Sequence, residues 1–287
     1  MKKTEAITGS GNWSDARFSN EELAAQAFTM QSGIFDTLYS NDIIIQYKRK
    51  RVRDHVNGLL PLGSNILELN AGTGEDAIYF ANQGYRVHAT DISTGMLDIL
   101  KRKALLNGLD KSITSEKCSF TSLETLEERG PYDMLFSNFA GLNCTEHLEK
   151  VLLQLPNLLK PGGLITLVLL PKFCLWESLL FLKGKWKTAF RRFNSSKGTR
   201  SHIEGNYFKC WYYNPSFVSS ALNESFELVT IEGLCTLVPP SYISNFAEKY
   251  PKSYAWLVKQ ENHLKGRWPW KFIGDYYIIT LRKKEGF

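Results

Sequence analysis

The stretch "ILELNAGTGEDA", residues 66–77, decides the fold. An apolar run carrying Glu68 passes through Asn70, Ala71, Gly72 and Gly74 and opens into a helical pattern. Glycines let a ligand approach the backbone because no Cβ stands in the way. The helix beginning near Gly74 offers N–H groups with no intrahelical partner. Asp91 ends the next apolar run, 19 residues beyond Gly72, where a carboxylate can accept both hydroxyls of a ribose. Turn, helix start and acid together predict a nucleoside site at the carboxyl ends of an open parallel sheet.

Outward from that turn the chain alternates between strand and helix patterns, as parallel sheets with covering helices do. Strands are expected at 65–70, 86–91, 112–118, 132–137 and 164–170, and helices at 74–83, 94–107, 123–129 and 145–159. The "KPGG" of 160–163 reads as the close of the last helix. Upstream, 21–60 has a helical pattern, and 1–19 reads as a polar, mobile lead-in. Downstream, 226–234 and 275–284 read as two late strands, which implies that the sheet is completed after an insertion.

Composition narrows the class. An apolar fraction of 43% in 287 residues fits an ordinary globular protein. The lysines at the start have no apolar run behind them, so no secretory signal is expected. The longest apolar run, "LITLVLL" at 164–170, is far short of the roughly 20 residues of a membrane span. Five cysteines without a C-x-x-C pair point to reduced thiols and a cytoplasmic setting. No metal is expected, because no His, Cys, Asp and Glu residues have ligand spacing. Of the net charge of +6, the segment 171–200 carries +7, from eight basic residues and Glu177.

Two nucleoside ligands compete for the turn. Gly72 to Ala77 fits G-x-G-x-x-A with an acid about 20 residues on, the dinucleotide pattern. Glu68 opposes it, since an acid at the strand end would repel a pyrophosphate and welcome a cationic ligand. With that acid the chain resembles a class I S-adenosylmethionine-dependent methyltransferase of small-molecule type, with a type 11/12-like domain. "ELNAGTG" departs from the family's acid-G-x-G-x-G by placing Asn70 at the first glycine, and Asn tolerates left-handed backbone angles well. The resemblance covers roughly residues 20 to 170 and recurs in order. "DISTGML" (91–97) matches the second motif, which implies that Asp91 holds the ribose and that Ile92 and Met96 flank the adenine. "CSF" (118–120) stands where the family often has an acid for the adenine amine, which implies that Ser119 and Phe120 serve there. "YDMLFSNFAGL" (132–142) matches the fourth motif, with Asn138 and Phe139 facing the methionine part. "FTMQSGIFD" (28–36) is similar to the segment that closes over the cofactor, with Phe35 in place of its tyrosine.

The implied fold is α/β, a Rossmann-like seven-stranded, mostly parallel sheet with helices on both faces. A helical and aromatic cap would come from insertions after strand 5 and before strand 7. The domain reading is 1–60 closing over the cofactor, 61–171 binding it, 172–225 as substrate cap, and 226–287 completing the sheet around a helical insertion at 235–274. The cofactor is S-adenosylmethionine, held by Phe35, Glu68, Asn70, Ala71, Gly72, Gly74, Asp91, Ile92, Met96, Ser119, Phe120, Asn138 and Phe139. A catalytic base, where one is used, is expected from the cap, at His202 or Glu177. Plainer roles stand beside these: Asp91 as a helix cap, Met96 and His88 in the core, His147 in solvent.

The many aromatic residues of 172–223 and 250–277 argue for a large apolar or aromatic acceptor, and would equally fill the core of the cap. The long insertions resemble those of small-molecule methyltransferases, which implies a hydrophobic metabolite, lipid, quinone-like or polyketide-like acceptor, methylated on oxygen. Residues 175–193, mixing Leu, Phe and Trp with Lys and Arg at near-helical spacing, read as a cap helix, with contact to a membrane surface as an alternative. The alternatives for function are a nucleic-acid methyltransferase, disfavoured because "SNFAGL" stands where amino-group enzymes carry a Pro-Pro motif, and a protein that holds the cofactor without catalysis.

Overall fold

The computed structural model describes residues 18–193, 197–203, 205–243 and 245–286; the lead-in expected at 1–19 lies, for 1–17, outside them. Two helices come first, α1 (Asn20–Tyr39) and α2 (Ile43–Asn57). Then follow β1 (Asn65–Leu69), α3 (Glu75–Asn82), β2 (Arg86–Asp91), α4 (Thr94–Leu106), β3 (Ile113–Lys117), β4 (Tyr132–Ser137), α5 (Leu148–Gln154) and β5 (Leu159–Leu169). The sheet has seven strands in the order β3-β2-β1-β4-β5-β9-β8, where β8 is Phe226–Leu234 and β9 is Tyr276–Lys283. The first five strands pair in parallel, and β9 runs antiparallel between β5 and β8. This is a Rossmann-like, mostly parallel sheet whose strand order reverses between β1 and β4.

The central strands β1, β4 and β9 are almost wholly buried because both faces of the sheet are covered there, while the edge strands β3 and β8 are partly exposed. Successive side chains point to opposite faces. Ile66, Val87, Met134, Phe136 and Ile278 therefore join one core with α2, α3 and α4. Leu67, Leu135, Ile165, Leu167 and Ile279 join a second core with α5 and α8 (Pro215–Ala221). His88 packs in the interior, stacked on Tyr132 with ring centroids 6.3 Å apart, while His147 lies in solvent.

Three expectations before the cap need correction. Residues 123–129 form only a 3-10 turn, Leu123–Thr125. The N–H groups of Glu127 and Glu128 donate to the Glu116 carboxylate at 3.1 and 3.3 Å rather than to carbonyls four residues back. The helix expected at 145–159 begins at Leu148 and tightens into a 3-10 turn at Leu155–Leu158, where Pro156 has no N–H to continue it. Lys160 to Gly163 belong to β5, not to a helix end, and a register shift between Tyr132 and Met134 absorbs them.

After β5 the chain forms α6 (Leu175–Leu179), a 3-10 turn (Leu180–Lys183) and α7 (Trp186–Phe190). The single helix expected over 175–193 is thus broken, with Gly184 left-handed at the break. A hairpin of β6 (Thr199–Ile203) and β7 (Asn206–Cys210) follows, and α9 (Phe246–Lys249) and α10 (Pro251–Leu264) lie between β8 and β9. The hairpin is tied to α1, where Asn20 donates to the carbonyls of Cys144 (2.6 Å) and Lys209 (3.0 Å) and accepts from the Lys209 N–H (2.7 Å).

Candidate functional site

A cavity of about 370 Å³ opens at the carboxyl ends of β1, β2 and β4, roofed by α1 and α2. Its floor is the quoted turn. Asn70 takes φ +50°, and its side chain bridges β1 and β4, accepting from Ser137 Oγ at 2.6 Å and donating to the Asn138 carbonyl at 3.0 Å. A Cβ on Gly141 would stand 2.3 Å from Asn70 Cγ, so the asparagine and that glycine fit only together. Gly72 takes φ +57° with nothing within 4 Å of where its Cβ would be. Its N–H donates to Asp91 Oδ2 at 2.9 Å, while the Ser93 N–H donates to Oδ1 at 2.8 Å. The turn thereby aims the Asp91 carboxylate into the cavity. Burial raises its pKa, against the pull of those two N–H groups.

Three acids shape the rest. Glu68 is 3% exposed, and its Oε2 has no hydrogen-bond partner. Burial pushes its pKa well above the ordinary value; Asp76 adds to the shift and Arg53 and Arg49 oppose it. Asp76 is a hub, taking Arg53 Nε at 2.7 Å, Asn138 Nδ2 at 2.7 Å and Arg49 at 3.6 Å. Glu21, from α1, accepts from Ser119 Oγ (2.7 Å) and Thr121 Oγ1 (2.9 Å) through Oε2, while its Oε1 is buried without a partner. Burial raises its pKa, against those two hydroxyls.

After β4, Phe139 (φ +50°) and Ala140 (φ +60°) are both left-handed, a backbone state that costs of order 1–3 kcal/mol per residue away from glycine. The strain is held by the Phe139 N–H to Asn138 Oδ1 (2.7 Å) and the Ala140 N–H to the Val168 carbonyl (3.0 Å). It turns the Phe139 ring beneath the Arg49 guanidinium, 4.8 Å from the centroid.

Residues 66–163 match the family model described as a methyltransferase domain. Over that third of the chain the sequence matches a methyltransferase domain, and the fold is the Rossmann-like one of class I, S-adenosylmethionine-dependent methyltransferases. Two curated relatives are similar to it: an S-adenosyl-L-methionine-dependent Diels-Alderase of Talaromyces variabilis, 36% identical over 38% of this chain and 37% of that one; and a demethylmenaquinone methyltransferase of Bacteroides fragilis, 29% identical over 50% and 58%. The match spans less than two thirds of either relative. The solved structure of the [4+2]-cyclase SpnF is alike in fold, with a TM-score of 0.61 at 15% identity over 94% of this chain and 98% of that one.

The residues of the methyltransferase domain fit S-adenosylmethionine on three observations. Asp91 suits a ribose diol, the unpartnered carboxylate of Glu68 suits the cationic methionine end, and the free Oε1 of Glu21 suits an amine N–H. Of the residues singled out from sequence, the cavity brings together Phe35, Glu68, Asn70, Ala71, Gly72, Asp91, Ile92, Met96, Phe120, Asn138 and Phe139. Gly74 and Ser119 do not line it. Gly74 caps α3 at φ +77° against Leu100, and Ser119 acts on Glu21. His202 is exposed on β6 and packs on Tyr207, with ring centroids 4.5 Å apart. Glu177, 1% exposed, is bound by Arg191 and Arg192, and neither it nor His202 lines the cavity. The sequence reading missed Glu21, Lys48, Arg49, Asp76 and Tyr276. The absent acid at "CSF" was the one available signal for Glu21.

Proposed function

We propose that the protein transfers a methyl group from S-adenosylmethionine to a hydrophobic small molecule, quinone-like, lipid or polyketide-like, with oxygen as acceptor atom. The observation that carries this is the buried Glu68 carboxylate, whose Oε2 has no donor, at the strand end where a cationic ligand would repay its burial. In this reading Asp91 takes the ribose hydroxyls and Glu21 the adenine amine. Ile92, Met96 and Phe120 enclose the adenine. Arg49 faces the methionine carboxylate, with Asn138 and Phe139 beside it. The bound cofactor supplies an activated methyl on a sulfonium. The chain's part is to hold an acceptor in line and exclude water, which accounts for most of the acceleration such a displacement needs. Among the described residues that line the cavity there is no histidine, so the acceptor's proton is not handled by a classical imidazole base.

The cap presents Leu179, Phe181, Leu182, Trp186, Phe190 and Phe193 to solvent, a surface that suits contact with the membrane or micelle carrying a lipid-like acceptor. No helix among the described residues is long and apolar enough to cross a membrane.

Calorimetric titration with S-adenosylmethionine, S-adenosylhomocysteine and NAD tests the cofactor, and labelled methyl transfer to reduced naphthoquinones and to total RNA tests the acceptor. Binding of the two adenosyl ligands without NAD, with label in the quinol, is expected. Binding of NAD alone, or label only in RNA, would overturn the reading. A second reading, binding the cofactor without methyl transfer, is favoured by the lack of a histidine base and by the cyclases among the similar proteins; adenosyl binding with no acceptor methylated would support it.

A further inference from the structure

The cavity continues beyond the Gly72–Asp91 side to a corner built by Lys48, Phe139 and Tyr276. Lys48 is 4% exposed, and among the described residues no carboxylate lies within ion-pair distance of its ammonium. Its neighbours are two ring faces, Tyr276 at 4.7 Å and Phe139 at 5.7 Å from Nζ to centroid. The other buried cations of α2 are matched. Arg51 meets Glu232 at 3.1 Å and Glu261 at 3.5 Å, and Arg49 meets Asp76 at 3.6 Å. Burying an ammonium without an anion costs its hydration, and the cation–π contacts recover part of that. Burial pulls its pKa down, but Tyr276, Cys235, Asp275 and Asp42 outweigh it and hold the group above the ordinary lysine value.

Strand register places this corner. Leu169 at the end of β5 pairs with Tyr277, so Tyr276 stands past the carboxyl end of β5, and Phe139 follows β4. Gly72 and Asp91 lie on the other side of the switch point, at β1 and β2. Arg49 shares Phe139 with Lys48 but pairs with Asp76, which leaves Lys48 to the Tyr276 side of the cavity.

We propose that Lys48, flanked by Phe139 and Tyr276, is an oxyanion seat for an acidic hydroxyl on an aromatic or enolic acceptor, which therefore binds ionised. The inference rests on the methyl-transfer reading and names its acceptor class. A lysine is a compact point charge suited to one oxygen, whereas carboxylates and phosphates favour the fork of an arginine. Two rings meeting at 81° with centroids 6.4 Å apart form a corner for a flat partner. The hydroxyl's proton goes to solvent on binding. The oxyanion's lone pair then forms the O–CH3 bond as the S–CH3 bond breaks, with that electron pair kept on sulfur; anion and sulfonium become a neutral ether and thioether, and no base is needed.

The test uses 2-hydroxy-1,4-naphthoquinone, an acidic enol whose visible absorption reports ionisation, against neutral 1,4-naphthoquinone, each titrated with and without S-adenosylhomocysteine. Wild type should bind the hydroxy compound at least about tenfold more tightly, with the anion's spectrum. Lys48→Met should abolish that preference and leave S-adenosylhomocysteine affinity within about twofold, a split that a general loss of folding would not give. Lys48→Arg should keep part of the preference. A wild type without preference, or a Lys48→Met protein that keeps it, overturns the seat. So does an equal loss of S-adenosylhomocysteine affinity, because Lys48 would then serve the cofactor. Failure of wild type to bind S-adenosylhomocysteine sinks the methyl-transfer reading instead, while the probe still reads the seat.

Discussion

Glu68→Gln separates stability from binding at one residue. In the empty protein the Glu68 carboxylate is buried, without a donor on Oε2, and repelled by Asp76. A buried group left unsatisfied costs about 1–3 kcal/mol, more when charged. The uncharged amide should therefore stabilise the empty protein by about 1–3 kcal/mol at pH 8, and each kcal/mol raises the melting point of a domain of this size by about 2–4 °C. The sign follows from the raised pKa. The folded carboxyl holds its proton more tightly than the unfolded one, so Glu68 costs nothing below about 4.5 and the cost grows as pH climbs through the folded value. The gap between the variant and wild type should thus be small at acid pH and widen toward pH 8. S-adenosylmethionine should bind the variant less tightly, by about 1.5–3 kcal/mol, the worth of a hydrogen bond to a charged group, or roughly 10- to 150-fold. Scanning fluorimetry across pH and calorimetry read both effects. A variant that melts below wild type at pH 8, or that binds the cofactor as well as wild type does, refutes the reasoning.

Asp91→Asn should weaken S-adenosylhomocysteine binding by roughly 10- to 100-fold through loss of charge-assisted hydrogen bonds, read by calorimetry, with unchanged affinity removing Asp91 from the ribose. Gly74→Ala sets a Cβ 2.5 Å from Leu100 Cγ at φ +77°, so left-handed strain and overpacking should together cost about 2–5 kcal/mol. Gly72→Ala, with open space around its Cβ, should cost only about 1–2 kcal/mol; urea midpoints give the order. Burial pushes the pKa of Glu232 up, but hydrogen bonds from His55 and Lys265 hold it at about 2 against an ordinary 4.5. At 1.36 kcal/mol per unit this is about 3 kcal/mol of stability, present above the ordinary value and lost as pH falls toward about 2. Glu232→Gln should accordingly lose about 3 kcal/mol at pH 7 and much less near pH 2.5 in urea titrations.

The sequence by itself determined the sheet and the cofactor side of the site. Gly72, Asp91, Asn138 and Phe139 sit at strand ends, and strand ends are legible because apolar runs and turn residues are local signals. It read less well where long-range contacts compete with local propensity. The Glu116 carboxylate takes the N–H groups that a helix at 123–129 would use. Arg192, at the end of the segment read as one cap helix, turns inward to Glu177 and Asp275 at 2.8 and 2.7 Å. Only the tertiary structure decided who completes the cavity. Glu21 is 98 residues from the Ser119 it binds, and Lys48 meets a ring on the last strand. No periodicity marks such residues, because a side chain's role in a cavity depends on which distant elements the sheet order brings beside it.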